Sequence, residues 1–456
     1  MIPRAYLRPR LGAGIAVLLL LVGLAWSVRH VLGILDLSES GENSFTVLWA
    51  LVFGSLVFHL VLAWTHRPFV VTDAGEAAAL DRLRVTIAVP AYNEDPAALA
   101  LALRSVLEQT RRPQRVHVVD DGSTSDLSAT EAEFARLAEQ YPDVETIWTR
   151  TENRGKRHAQ IEAFAADPAA DVFATMDSDT VLDPHCIENG LHPFAQRDIT
   201  SVASVILAYN NRNLFVRITD SWLLAFQLVV RAAMSRLGCV LVNSGNFSMY
   251  RADVVRDALP SYANETFGGS TVMFSDDSLL TLFAHLKGRT VQQENSFAFT
   301  VLPEKVSHHL RQQVRWMRGS TIRSVWRFRY LPVKGWAYWE HFAAWVNFTL
   351  ITIAFFVLMI IMPIMYGTFY GYLLLFSVLI CYITAARYLV VGRSDQSLAF
   401  QVGTVAFAPL MLLWTAVVLR PLRLFSIATC TRTGWGTRGA GVEVEVAPRR
   451  EVLEPA

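Results

Sequence analysis

Cysteine is scarce in this chain of 456 residues: Cys186, Cys239, Cys381 and Cys430 are the only four, and no two have CxxC or metal-ligand spacing. This excludes a disulfide framework or a structural zinc module and leaves reduced or buried thiols. Charge is scarce as well. Only 18% of residues are charged against 52% hydrophobic, and the net charge is +1. No basic excess argues for nucleic acid, and no nucleic-acid partner is expected. Internal repeats and long low-complexity linkers are also missing.

Charge is absent altogether from four long runs. Leu11–Val28 has none, and Ser44–Trp64 has only the titratable His59. Each is long enough to cross a hydrocarbon core. Arg4, Arg8 and Arg10 precede the first run, and Asp36, Glu39 and Glu42 lie between the two. The positive-inside rule then puts the N-terminus in the cytoplasm. A cleaved signal peptide is disfavoured by the missing small-residue cleavage site and the immediate second span. Phe342–Ala386 carries no charge over 45 positions and fits a hairpin turning near Pro363–Gly371, with Arg387 and Arg393 marking its return. Gln396–Leu419 is uncharged, is broken by Pro409 and precedes Arg420 and Arg423. A full crossing there would put the basic tail outside, so an interfacial or re-entrant helix is expected.

The chain therefore divides into an N-terminal transmembrane hairpin over 1–72, a soluble domain over 73–332 and a C-terminal membrane region over 333–430. The last holds two spans within 340–391 and the interfacial or re-entrant helix at 396–429. Residues 431–456 form a final segment with a mobile end. Four spans would leave the soluble domain and both termini in the cytoplasm, in a multi-pass protein of the cell membrane.

The soluble domain reads as α/β. Arg84–Pro90, Arg115–Val119, Val144–Thr149 and Asp171–Met176 have strand composition, and Ala97–Gln109 and Ser128–Gln140 have helical spacing. Alternation of this kind predicts a mostly parallel, doubly wound sheet, which binds nucleotides at the carboxyl ends of its strands. Tyr92-Asn93-Glu94, Asp120-Asp121 and Asp177-Ser178-Asp179 fall at such ends.

Asp177 and Asp179 can share one hard cation, Mg2+ or Mn2+, with diphosphate oxygens. Asp120 can accept from a base or ribose, Tyr92 can pack on the base, and Glu94 and Lys156 complete a nucleotide site, Lys156 supplying a cation for phosphate. Asp276-Asp277 precedes an apolar run at a helix start, where a carboxylate can take a proton from an acceptor hydroxyl or merely cap the helix. Gln312, Arg315 and Trp316 share one helical face, suited to diphosphate and to stacking on a sugar. The same helix is basic and amphipathic, as membrane-surface helices are. Its His308 and His309 read as surface histidines. Asp220–Leu237 reads as a core or interfacial helix. Ser244-Gly245-Asn246, just beyond, reads as an acceptor-side loop or an ordinary turn.

Together these motifs resemble the processive family 2 glycosyltransferases, and within them the hyaluronan synthases, relatives of chitin and cellulose synthases. The resemblance covers roughly 84–439. Asp177-Ser-Asp-Thr-Val-Leu-Asp-Pro184 is similar to that family's metal motif, and Gln312-Gln-Val-Arg-Trp316 to its QxxRW signature. Leu422–Thr429 leading to Gly434–Arg438 resembles the segment before and within a gating loop. The resemblance implies a GT-A-type nucleotide-sugar transferase domain inserted between transmembrane α-helices, with interfacial helices. It implies UDP-sugar donors, a growing polysaccharide and the lipid bilayer as partners. By resemblance Asp277 is the base beside Asp276, and Trp435, Thr437 and Arg438 contact nucleotide. Trp316, with Gln312, Ser244 and Gly245, serves the acceptor.

The chain departs from the pattern where Ser275 replaces a usual Gly and Asn246 a usual Pro. UDP-sugar use is left intact, but the glycan is left open: hyaluronan from UDP-GlcNAc and UDP-GlcA, another β-glycan or a chitooligosaccharide. A non-processive transferase acting on a lipid carrier, or an inactive export protein, are the rival readings.

Overall fold

The computed structural model describes residues 2–8, 43–367 and 371–434. The first expected span and the Trp435–Arg438 motif lie outside the described residues.

The strands in chain order are β1 (Ala5–Leu7), β2 (Val85–Ala91), β3 (Arg115–Asp120), β4 (Glu145–Arg150), β5 (Val172–Met176), β6 (Val181–Leu182), β7 (Ile199–Ala208), β8 (Phe247–Arg251), β9 (Thr266–Phe267), β10 (Ser270–Thr271), β11 (Arg289–Thr300) and β12 (Val391–Arg393). Eight of them form one sheet in the order β4-β3-β2-β5-β8-β7-β11-β6. The β4-β3-β2-β5 half is parallel, as the alternation predicts. The other half is mixed: β8 runs antiparallel to both β5 and β7, and β6 antiparallel to β11. The sheet is thus a parallel half extended by a mixed half, and the strand-helix alternation in the sequence marks the first alone.

β2 is buried at every position, because helices cover both faces of the sheet. On one face the Pro96–Leu107 and Cys186–Leu191 helices bury Leu99, Leu103, Val106 and Ile187 against Ile87, Val89 and Ala174. On the other, the Lys156–Ala165, Ala252–Ala263 and Asp276–His285 helices bury Phe164, Val255 and Leu280 against Val119, Phe173 and Tyr250. Each fully buried side chain of this size contributes about 1.5–3 kcal/mol.

Beyond the domain, Trp336–Tyr366 and Leu398–Ala428 are, among the described residues, the two helices long and apolar enough to cross a membrane. The apolar Asn43–Thr65 and Gly371–Ala385 helices accompany them. Leu398–Ala428 is interrupted at Phe407, where Pro409 follows and the turn closes through i,i+3 hydrogen bonds. Both its ends touch the α/β domain. Arg217 reaches Phe400 O and Thr404 Oγ1 near one end, and Arg318 reaches Thr429 Oγ1 at the other. β1 pairs with β12, and the Ala5 N–H donates to Asp183 at 2.9 Å, which draws the N-terminal segment onto the domain.

His309 is not a surface histidine. It is buried, edge-on to Phe215 and beside Trp414, because the long Val306–Tyr330 helix is covered by Leu398–Ala428 along that face.

Candidate active site

The loops at the ends of β2, β3 and β4 lock one another. Asn93 takes a left-handed conformation (φ 52°), its N–H donates to Ser123 Oγ at 2.9 Å, and its Oδ1 accepts from the Thr124 N–H at 2.7 Å. Asn tolerates this region because its side chain can bond locally. Gly122 (φ 73°) is required: a Cβ there would sit 2.7 Å from the Asn153 backbone nitrogen. The turn thus folds against residues 151–155, and Asp121 accepts the Arg154 and Gly155 N–H groups, each at 2.9 Å.

Gly155 delivers Lys156 at the start of its helix, where Nζ forms an ion pair with Asp177 Oδ1. Burial by itself would lower the ammonium's pKa, but Asp177, Asp276 and Asp277 together raise it.

A cavity of about 860 Å³ opens at these strand ends. Tyr92, Glu94, Asp121, Lys156, Asp177 and Asp179 line one part; Ser244, Gly245, Asp276, Asp277, Gln312, Arg315 and Trp316 line the continuation. Asp120 is not among the lining residues. Its Oδ1 accepts the Ser123 N–H at 2.8 Å and its Oδ2 lies 3.5 Å from Arg150, while its neighbour Asp121 lines the cavity instead. Strand alternation sends consecutive side chains to opposite faces, and the sequence could not tell which of the two aspartates meets the cavity.

The second carboxylate pair also divides. Asp276 Oδ1 accepts from Arg157 Nε at 2.7 Å. Arg157 also bonds Glu265, and Glu265 accepts both Arg323 Nη1 at 2.7 Å and Arg323 Nη2 at 3.1 Å. Asp276 therefore belongs to a buried four-charge network that anchors the helix start. Among the described residues Asp277 forms no ion pair; its Oδ1 accepts its neighbour Ser278's N–H at 2.7 Å. Burial pushes the Asp277 carboxyl up from 3.8 to about 6; the Ser278 hydrogen bond and Lys156 oppose this, and Asp276 and Asp177 add to it. That value is the one a general base needs near neutral pH.

Ser275, before the pair, is left-handed (φ 65°), which explains why glycine suits this position. Its hydroxyl lies 2.6 Å from Ser278 Oγ, and Gly319 of the long helix makes room for it. A Cβ on Gly319 would come 2.6 Å from the Ser275 Cβ. Gly319→Ala is therefore expected to push the helix start away and to cut turnover more than tenfold, since a displacement of about 1 Å can cost 10²-fold. Steady-state kinetics of the variant, with Ser275→Gly as the relieving second change, check this.

Gly245 brings the acceptor-side loop to Asp277: a Cβ there would lie 3.7 Å from Asp277 Oδ2. Arg231 lines the cavity and donates to Ser244 Oγ at 2.8 Å. Sequence reading missed Arg231, Glu265 and Arg323. An Arg in the middle of the apolar 220–237 run was a usable signal for the first, since a buried charge needs partners. Glu265 had none.

Among the described residues no cluster of three or more His, Cys, Asp or Glu is assembled for a metal. Asp177 and Asp179 both line the cavity, and their carboxylates are hard-oxygen donors of the kind Mg2+ or Mn2+ takes.

A sequence model described as glycosyltransferase like family 2 matches residues 82–319. The hyaluronan synthase of Streptococcus pyogenes is 31% identical over 412 residues, covering 87% of this chain and 92% of that protein. An N-acetylglucosaminyltransferase of Azorhizobium caulinodans is 32% identical, covering 53% of this chain and 60% of its own. Among solved structures, a mannosyltransferase from Pyrobaculum calidifontis in complex with GDP-Man and Mn2+ aligns with a TM-score of 0.48 and 20% identity, over 75% of this chain and 96% of that one. The chain is a glycosyltransferase, and it belongs to family 2, in the group of the hyaluronan synthases.

Proposed function

We propose that this processive glycosyltransferase is embedded in the cell membrane, extends a β-linked polysaccharide from UDP-sugars and passes the chain through its own helices. The observation that carries this is the single cavity running from the Lys156–Asp177–Asp179 end past Asp277 to Trp316. Tyr92, Glu94 and Lys156 are assigned to the nucleotide, with Asp121 in place of Asp120. Asp177 and Asp179 hold a divalent cation, which when bound neutralises charge on the departing diphosphate. Arg315 faces diphosphate; Trp316, Gln312, Ser244 and Gly245 hold the acceptor.

Asp277 takes the proton of the acceptor hydroxyl as that oxygen bonds the anomeric carbon. The bond from that carbon to the diphosphate oxygen breaks on the opposite side, and UDP leaves with the electron pair. The attack is in line, so an α-linked donor becomes a β-linkage.

Contacts at three places favour a common side of the bilayer for the domain and both chain ends. Residues 5–7 pair with 391–393, Arg217 holds the start of the Leu398–Ala428 helix, and Arg318 holds its end. A helix with both ends on one domain is re-entrant or interfacial despite its length. The Trp336–Tyr366 and Gly371–Ala385 helices then serve as the C-terminal hairpin.

The test is UDP release by purified protein over a panel of UDP-sugars, singly and paired, with product sizing. Turnover only with UDP-GlcNAc plus UDP-GlcA, giving large polymer, is the result expected of a hyaluronan synthase. Turnover with UDP-GlcNAc alone makes it a homopolymer or chitooligosaccharide synthase. Lipid-extractable label without polymer overturns processive synthesis.

A further inference from the structure

Asn246 lines the cavity, and acceptor binding does not account for its side chain. Its amide nitrogen lies 3.0 Å from Thr300 Oγ1, 3.4 Å from Asp177 Oδ2 and 3.5 Å from Thr180 Oγ1. A carboxylate only accepts, so the NH2 face of the amide must be the one turned to Asp177. The backbone repeats the link: the Asp177 N–H donates to Asn246 O at 3.0 Å. Lys156 occupies the other Asp177 oxygen. One residue earlier in the chain, Gly245 abuts Asp277. Two consecutive residues thus touch the donor-side carboxylate and the proposed base.

We infer that Asn246 is a positioning residue that orients the Asp177 carboxylate toward the cation and diphosphate and ties it to the loop beside Asp277. The inference rests on the donor-site reading above. The contact to Thr300 anchors the amide and leaves its second N–H for Asp177. Lys156 neutralises Asp177 and so competes with a divalent cation for it. A neutral amide does not, and it holds Oδ2 in place whichever cation is present. Groups that hydrogen-bond a ligating carboxylate from outside the ligand set usually change metal affinity 10–100-fold when removed. A proline here, the usual residue of the family pattern, would keep the backbone carbonyl that accepts from Asp177 but lose the amide.

The experiment is calorimetric UDP binding by the full chain in detergent, with and without Mn2+, for wild type, Asn246→Ala and Thr300→Val. Asn246→Ala is expected to weaken Mn2+-dependent UDP binding by roughly 10–100-fold and to leave metal-free binding unchanged. Thr300→Val removes the anchor at constant shape and should reproduce part of the loss, which keeps the test valid if the alanine variant does not fold. Mn2+-dependent binding that both variants retain overturns the inference alone. Wild-type UDP binding that ignores Mn2+ overturns the donor-site reading, and the inference with it.

Discussion

Asp277→Asn is expected to lower sugar transfer by about 10²–10⁴-fold while UDP still binds. The carboxylate lines the cavity, and a Cβ on Gly245 would lie 3.7 Å from its Oδ2. Asparagine keeps its size and can still accept the Ser278 N–H that now bonds Oδ1 at 2.7 Å. The helix start should survive, and only the proton acceptor is lost. UDP release measures the first effect and calorimetric UDP binding the second. Loss of UDP binding would mean that the residue serves the donor, and the assigned role would be wrong. The wild type carries the same information in its pH profile. Burial holds the Asp277 carboxyl at about 6, above its ordinary 3.8. A carboxyl with a raised pKa is protonated, and useless as a base, below that value. Activity is therefore expected to be flat above about pH 7 and to fall about tenfold per unit below pH 6. In Asp277→Asn the residual activity should lose this slope.

Glu265→Ala is expected to be the most destabilising single change in the domain, by about 3–5 kcal/mol. Glu265 bridges two buried guanidiniums, Arg157 and Arg323, and also accepts from Trp326 Nε1 at 2.9 Å. Removing it leaves two buried cations with only Asp276 between them and orphans an indole N–H. A loss of that size is a large fraction of a domain's total of about 5–15 kcal/mol. It should appear as a lower midpoint of thermal unfolding. Glu265→Gln keeps some acceptors without the charge and should fall between wild type and alanine. The network also holds the Asp276–His285 helix: Arg157 grips Asp276, and Arg323 donates to Ser278 Oγ at 3.2 Å. Whatever fraction of Glu265→Ala still folds should turn over slowly. A variant with wild-type melting would show that the network is not structural.

The parallel half of the sheet was legible because β2, β3 and β5 are short, mainly apolar runs bounded by turn residues, and helical patterns follow β2 and β3. The reading placed β2 to β5 within one or two residues. The mixed half was not legible. β7 and β11 are buried along almost their whole length; β7 has no alternation to mark an exposed face, and the polar run Gln292–Asn295 breaks any strand pattern in β11. His309 was misread because the helix that covers it lies about a hundred residues later in the chain.

Most of the site's chemistry was determined by the sequence alone: which carboxylates lie at strand ends, that Gln312, Arg315 and Trp316 share a face, and that apolar helices flank the domain. Spacing carries that information because helix and strand periods are fixed by backbone geometry. Which carboxylate does what was decided only by the tertiary structure. Arg157 engages Asp276 and leaves Asp277 outside the ion-pair network; Ser123 and Arg150 turn Asp120 away while Asp121 lines the cavity; and Asn246 reaches Asp177 across 69 residues. These choices depend on partners distant in the chain, and burial fixes the free energy of each charge only after the chain has closed around it.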